Sequence, residues 1–156
     1  MKIEFWVIGK TNEAYLETGI GIFEKRLRRY LPFQMVVLPD VKLKTTDGDL
    51  LKKEEAKLLQ TRLAPEDFLV LLDENGQEFT SVGLADWLEK RLSGSHRRLL
   101  FLVGGAFGFA PEIYARANAK ISLSRLTFSH QMVRVFFLEQ LYRAMTILKN
   151  EPYHNE

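Results

Sequence analysis

The stretch Leu99-Leu100-Phe101-Leu102-Val103-Gly104-Gly105-Ala106-Phe107-Gly108-Phe109-Ala110-Pro111-Glu112 decides the fold. Its first five residues are apolar without alternation, so both faces of the strand they form are buried. That is the pattern of a strand inside a parallel sheet covered by helices on both sides. Three glycines follow, then Pro111, the residue that opens a helix without losing a backbone hydrogen bond. A buried strand thus feeds a glycine loop that feeds a helix. Glycines there let the backbone approach a ligand closely, and ligands of open α/β sheets bind beyond the carboxyl ends of the strands. The segment alone serves equally well as a ligand loop or as a bare strand-to-helix turn.

Working outward, Phe68-Leu69-Val70-Leu71-Leu72 repeats the doubly apolar pattern. Strands are expected at 2–8, 33–38, 68–72, 99–103 and 120–123, and helices at 13–30, 50–63, 81–92, 111–117 and 130–149. Alternation of the two predicts a three-layer α/β fold with an open, mostly parallel sheet, in one domain spanning 1–156. Residues 42–49, with Thr45-Thr46-Asp47-Gly48, read as a loop. In the last helix Val133, Phe137, Leu141, Ala144 and Leu148 form one stripe, widened by Met132, Val135, Phe136, Leu138, Tyr142, Met145 and Ile147. So broad an apolar surface needs cover on two sides. The sheet is one; the other is a second copy of the chain or an internal groove.

Composition excludes several classes. Of 156 residues, 46% are hydrophobic and 27% charged, as in globular rather than disordered chains. No apolar run reaches the ~20 residues of a bilayer span, and the start, Met1-Lys2-Ile3-Glu4-Phe5-Trp6, is not a secretory leader. The absence of cysteine removes disulfides, thiolate metal sites and a cysteine nucleophile, and points to the cytoplasm. His96, His130 and His154 lie far apart, without metal-ligand spacing, so no metal is expected. A net charge of +2 permits nucleic-acid binding without demanding it. The basic groups Lys25-Arg26, Arg28-Arg29 and Arg97-Arg98 read first as solvated surface; a nucleic acid lying across two subunits would pool them.

Neither a P-loop nor a dinucleotide fingerprint is present. Phe109-Ala110 stands where Lys-Ser/Thr would follow, and the glycine cluster comes after the fourth strand rather than the first. Backbone contact with a flat group such as an adenine ring suits the loop better than phosphate. A second ligand-capable loop is Leu123-Ser124-Arg125-Leu126-Thr127-Phe128, with Ser129 as a cap for the last helix and His130 as a residue of its first turn. A third follows Leu72: Asp73 either meets a ligand hydroxyl or, on the safer reading, caps the turn Glu74-Asn75-Gly76. The tail, Pro152-Tyr153-His154, reads as mobile unless it folds back over a site.

Taken in order, Leu102-Val103-Gly104-Gly105 with Gly108, Leu123 to Phe128, Val133-Arg134-Val135, Glu139-Gln140-Leu141-Tyr142-Arg143-Ala144 and Pro152-Tyr153-His154 resemble the RlmH family, the large-subunit (23S) ribosomal RNA pseudouridine-N3 methyltransferases of the SPOUT superfamily. The likeness runs over essentially the whole chain. It implies a C-terminal trefoil knot, a homodimer, S-adenosyl-L-methionine as cofactor, and ribosomal RNA, within a ribosome, as substrate. Position by position it implies cofactor contacts at Leu72, Gly104, Leu123, Ser124, Arg125, Leu126, Thr127 and Phe128. It implies a catalytic group of Arg143, Tyr153 and His154 near the entering base. The family's glycine loop often carries Pro-Glu where this chain has Ala106-Phe107, so no acid is assigned there. Two other readings compete: a SPOUT enzyme acting on another RNA such as transfer RNA, and a ribosome-binding module of the same fold without catalysis.

Overall fold

The structure, a computed structural model, describes residues 1–41, 46–105 and 107–155. Strands β1 (Lys2–Ile8), β2 (Phe33–Leu38), β3 (Phe68–Glu78), β4 (Arg98–Val103) and β5 (Ala119–Ser122) alternate with helices α1 (Ala14–Leu27), α2 (Gly48–Arg62), α3 (Ser81–Leu92), α4 (Pro111–Arg116) and α5 (Met132–Leu148). The five strands form one sheet in the order β2-β1-β4-β3-β5, every pair parallel.

Alternate side chains of the central strands enter two cores. Ile3, Phe5, Val7, Phe68, Val70, Leu99 and Phe101 face α1, α3 and α5. Trp6, Ile8, Leu69, Leu71, Leu100 and Leu102 face α2 and α4. The doubly apolar runs at 68–72 and 99–103 are therefore the inner strands, as their composition required. Among the described residues no helix is long and apolar enough to cross a membrane.

Several boundaries move for identifiable reasons. α2 starts at Gly48, because Asp47 caps it by accepting the N–H of Asp49 at 3.0 Å and of Leu50 at 3.4 Å. Gly48 and Asp49, expected in a loop, are thus helical, and 42–45 of that loop lie outside the described residues. α1 ends at Leu27, and 28–30 form a turn. β3 continues six residues past the expected end. Leu72 and Gln77 both pair with Ile121, so 73–76 bulge from the strand before it resumes.

α5 lies on the sheet between α1 and α3, which bury Val133, Phe137, Leu138, Leu141, Ala144 and Met145. Helices α1 and α3 thus cover much of that broad apolar surface, and Phe136 stays exposed. The N-terminus of α5 is fixed twice. Ser129 Oγ accepts the Met132 N–H at 3.0 Å, the cap expected from sequence. The buried guanidinium of Arg134 donates to Ile8 O (3.0 Å), Gly9 O (2.8 Å), Thr11 Oγ1 (3.1 Å) and His130 O (3.0 Å). This clasps α5 to the carboxyl end of β1. At the opposite end of the sheet, Arg98 donates to Asp67 at 2.6 and 2.9 Å and to Glu4 at 3.3 Å, and Trp6 Nε1 donates to Glu4 at 2.8 Å. Burial raises both carboxyls, but these partners outweigh it and hold Glu4 and Asp67 below their ordinary values.

Candidate functional site

Three chain segments converge beyond the carboxyl ends of β3, β4 and β5 and enclose a recess of about 390 Å³. The bulge of β3 contributes Leu72, Asp73, Glu74 and Asn75. The glycine loop contributes Val103, Gly104, Gly105, Phe107, Gly108 and Phe109. The loop ahead of α5 contributes Leu123, Ser124, Leu126, Thr127 and Phe128. Tyr114 of α4 and His130 and Val133 close the wall.

The glycine loop is tight because two of its glycines are required. Gly108 has φ 83° and its N–H donates to Gly105 O at 3.1 Å. A Cβ on Gly104 would lie 3.1 Å from the Phe109 ring and 3.2 Å from the Gly108 carbonyl. A side chain at either position would displace the turn that forms the floor of the recess.

The polar walls are tied to one another. Tyr114 donates its hydroxyl to Asp73 Oδ2 at 2.6 Å, while Asp73 Oδ1 accepts the Asn75 N–H at 2.9 Å. Asp73 therefore does cap its turn, and also faces the recess. Burial and the Asp73 carboxylate push the Tyr114 phenol up to about 12. Thr127 donates to Glu74 Oε2 at 2.8 Å, linking the β3 bulge to the last loop. Ser124 Oγ accepts the Leu126 N–H at 3.0 Å. Phe128 stacks on Phe136 with centroids 5.0 Å apart. Among the described residues, the lining holds two carboxylates and no lysine or arginine side chain. Such a recess suits a flat ring between apolar walls joined to a cationic group.

Of the eight residues expected to hold a cofactor, Leu72, Gly104, Leu123, Ser124, Leu126, Thr127 and Phe128 line this one recess. Arg125 does not: its side chain, 87% exposed, turns outward to Glu78. The three expected catalytic residues form a separate cluster at the far end of α5. Arg143 donates to Glu139 at 2.6 Å and meets His154 Nδ1 at 3.1 Å, and its guanidinium lies 4.8 Å from the centre of the Tyr153 ring. Tyr153 donates to the same Glu139 oxygen at 3.0 Å and packs edge-on against Tyr142. The tail is thus folded back rather than mobile. The turn that does this places Asn150 at φ 55°, and the Glu151 N–H donates to Thr146 O at 2.9 Å. A guanidinium only donates, so His154 Nδ1 is placed to accept from Arg143.

A family described as predicted SPOUT methyltransferases matches residues 1–154. Among curated proteins, "Ribosomal RNA large subunit methyltransferase H" of Cytophaga hutchinsonii is 52% identical over 155 residues, covering 99% of this chain and 100% of that protein. The protein of the same name from Parabacteroides distasonis is 50% identical over 157 residues, covering all of both chains. That from Christiangramia forsetii is 49% identical over 156 residues, covering 99% of each. The chain belongs to this family, the SPOUT large-subunit methyltransferases H.

The recess fits the methyl donor that SPOUT enzymes use in general. Its carboxylates would suit a sulfonium and an ammonium group and its apolar walls an adenine ring, and Gly104 keeps open the space a Cβ would fill. Two lining residues of this SPOUT chain escaped sequence reading, Tyr114 and Val133, which sit within helical patterns that read as core or surface; Glu74 and Asn75 belong to the third expected loop, read there only as a turn. Glu139 had a signal: it stands four residues before Arg143, the spacing of a helix ion pair.

Proposed function

We propose that this chain, as one domain, transfers a methyl group from S-adenosyl-L-methionine to N3 of a pseudouridine in 23S ribosomal RNA, on the assembled ribosome in the cytoplasm. The observation that carries the reading is the convergence of the three loops after β3, β4 and β5 on one acidic recess, lined among the described residues by no lysine or arginine. A C-terminal trefoil knot, which the family likeness implies, would hold three such loops together. The names of the relatives support the substrate.

The active unit in this reading is a homodimer. Arg143 lies ten residues beyond Val133 on α5, about 15 Å at 1.5 Å per residue, so the tail cluster does not reach its own recess. Tyr15 (66% exposed), Ile22 and Phe136 leave an apolar face on α1 and α5. A second copy packed there with α5 reversed brings the partner's tail over the recess.

When bound, the cofactor supplies a methyl group already electrophilic on its sulfonium. The chain supplies position and charge. The acceptor, an imide nitrogen, gives up its proton to solvent water, and the resulting anion spreads onto the two flanking carbonyls. Arg143, held by Glu139, faces that charge as a fixed cation. His154, in contact with Arg143 through Nδ1, belongs with Tyr153 to the tail group that closes over the base. Tyr153, ordered by Glu139, covers the ring. Mass spectrometry of ribosomal RNA from a deletion strain tests the reading: one methyl should vanish from a pseudouridine of the large subunit. A methyl lost from transfer RNA instead, or no heat on titrating the protein with the cofactor, overturns it.

A further inference from the structure

A second recess, of about 720 Å³, opens where the ends of α1 and α5 meet the tail. Its chemistry is the reverse of the first. Tyr142 stands at its centre, with Tyr30 6.1 Å away and Tyr153 4.8 Å away between ring centroids. Arg26 lies with its guanidinium 5.3 Å from the Tyr142 ring centre. Arg29 and Lys149 stand exposed at the rim. Among the described residues, none of these three cations has a carboxylate partner. The one acid of the lining, Glu151, accepts the Tyr30 hydroxyl at 2.6 Å.

We propose that this recess is a subsite for a nucleotide of the RNA that flanks the methylated one. Arg29 and Lys149 contact its phosphates, and its base stacks on the tyrosine–arginine wall. Both phenols that could turn are locked by carboxylates, Tyr30 by Glu151 and Tyr153 by Glu139, so the stacking wall is built before the ligand arrives. Aromatic faces beside arginine planes are how single-stranded RNA bases are held, and unpaired cations are what a phosphate backbone requires. The recess shares Tyr153 with the tail cluster, so a nucleotide there would sit beside the base being modified. The inference rests on the reading above that the substrate is RNA.

The test is a variant carrying Arg29→Glu and Lys149→Glu, both at exposed positions, assayed on large ribosomal subunits from the deletion strain. Its affinity for the subunits should fall at least about tenfold at 100 mM KCl, and the slope of log affinity against log salt should become shallower by about 1.5. Its affinity for S-adenosyl-L-methionine should stay within twofold of wild type. Unchanged subunit affinity and slope would overturn the subsite. So would a loss of affinity with an unchanged slope, or conversion to monomer by light scattering, which would make the recess an interface between copies. Binding is read by sedimentation and so independently of turnover. If the wild-type protein binds subunits yet transfers no methyl, the earlier reading fails and the subsite is still judged.

Discussion

The two recesses of this molecule differ in how they were made and in what they can hold. The first is assembled from backbone and loops at the carboxyl ends of three strands, and carries Asp73 and Glu74 with, among the described residues, no lysine or arginine. The second is assembled from side chains on the ends of two helices, and carries Arg26, Arg29 and Lys149 against Glu151. One is suited to a compact cation with a flat ring, the other to a polyanion with exposed bases. A single protomer keeps them apart along α5, which tells why methyl donor and RNA need not compete for the same walls. It also means that substitutions should separate cleanly into two phenotypes.

The largest effect is expected at the shared edge of the second recess. His154→Ala should slow methyl transfer by about 10²–10³-fold, within the range of a group that helps set a charge-stabilising donor, and leave cofactor affinity within twofold. Stopped-time methylation and calorimetry measure the two. A loss of cofactor affinity as large as the loss of rate would erase the separation. If the tail acts across a dimer, mixing His154→Ala protein with a cofactor-recess variant should restore part of the activity.

That second variant is Gly104→Val. Its side chain meets Phe109 and the Gly108 carbonyl, so the floor of the first recess must shift. Cofactor affinity should fall about 100-fold or more, the equivalent of about 2.7 kcal/mol. Subunit binding should be unchanged within twofold. Circular dichroism distinguishes a distorted recess from an unfolded chain.

Glu139→Gln should have a milder effect than either. Glu139 orders Arg143 and Tyr153 together, through bonds of 2.6 and 3.0 Å to one oxygen. An uncharged amide keeps the shape but weakens the hold on the guanidinium. Turnover should fall about tenfold, and combining it with Tyr153→Phe should cost less than the product of the two, because both remove the same bond.

How far the residue pattern alone foretells these features differs by region, for physical reasons. The sheet is legible because burial on both faces leaves uninterrupted apolar runs at 68–72 and 99–103, and Pro111 marks a helix start by its own stereochemistry. The first recess is legible as three separate loops, and the glycine requirement at Gly104 and Gly108 explains why those residue types stand there. That the loops meet does not follow from periodicity, since the bulge at 73–76 obeys a tertiary constraint rather than a local one. The covering of α5 by α1 and α3 is equally hidden: an apolar stripe states that cover exists, not which element provides it. The second recess is least legible of all. Its basic residues read as solvated surface, and only the fold-back of the tail sets Tyr153 against Tyr142.

The smallest effect concerns a feature the two recesses share, a phenol pinned by a carboxylate. Burial, then the bond to Asp73, raises Tyr114 to about 12, and burial with Glu139 raises Tyr153. A phenol whose folded value is raised contributes stability that is fully present below its ordinary value, about 10. That contribution is lost as pH climbs through the folded value. The melting temperature of wild type should therefore exceed that of Tyr114→Phe by a constant margin from pH 6 to about pH 9.5, and the margin should close as pH rises toward 12. Tyr114 is 40% exposed, so solvent keeps the margin small. Cofactor affinity should weaken only about two- to tenfold in this variant, the yield of one hydrogen bond that orients Asp73. A larger loss would mean that the hydroxyl itself touches the ligand and that the first recess is read through side chains as much as the second.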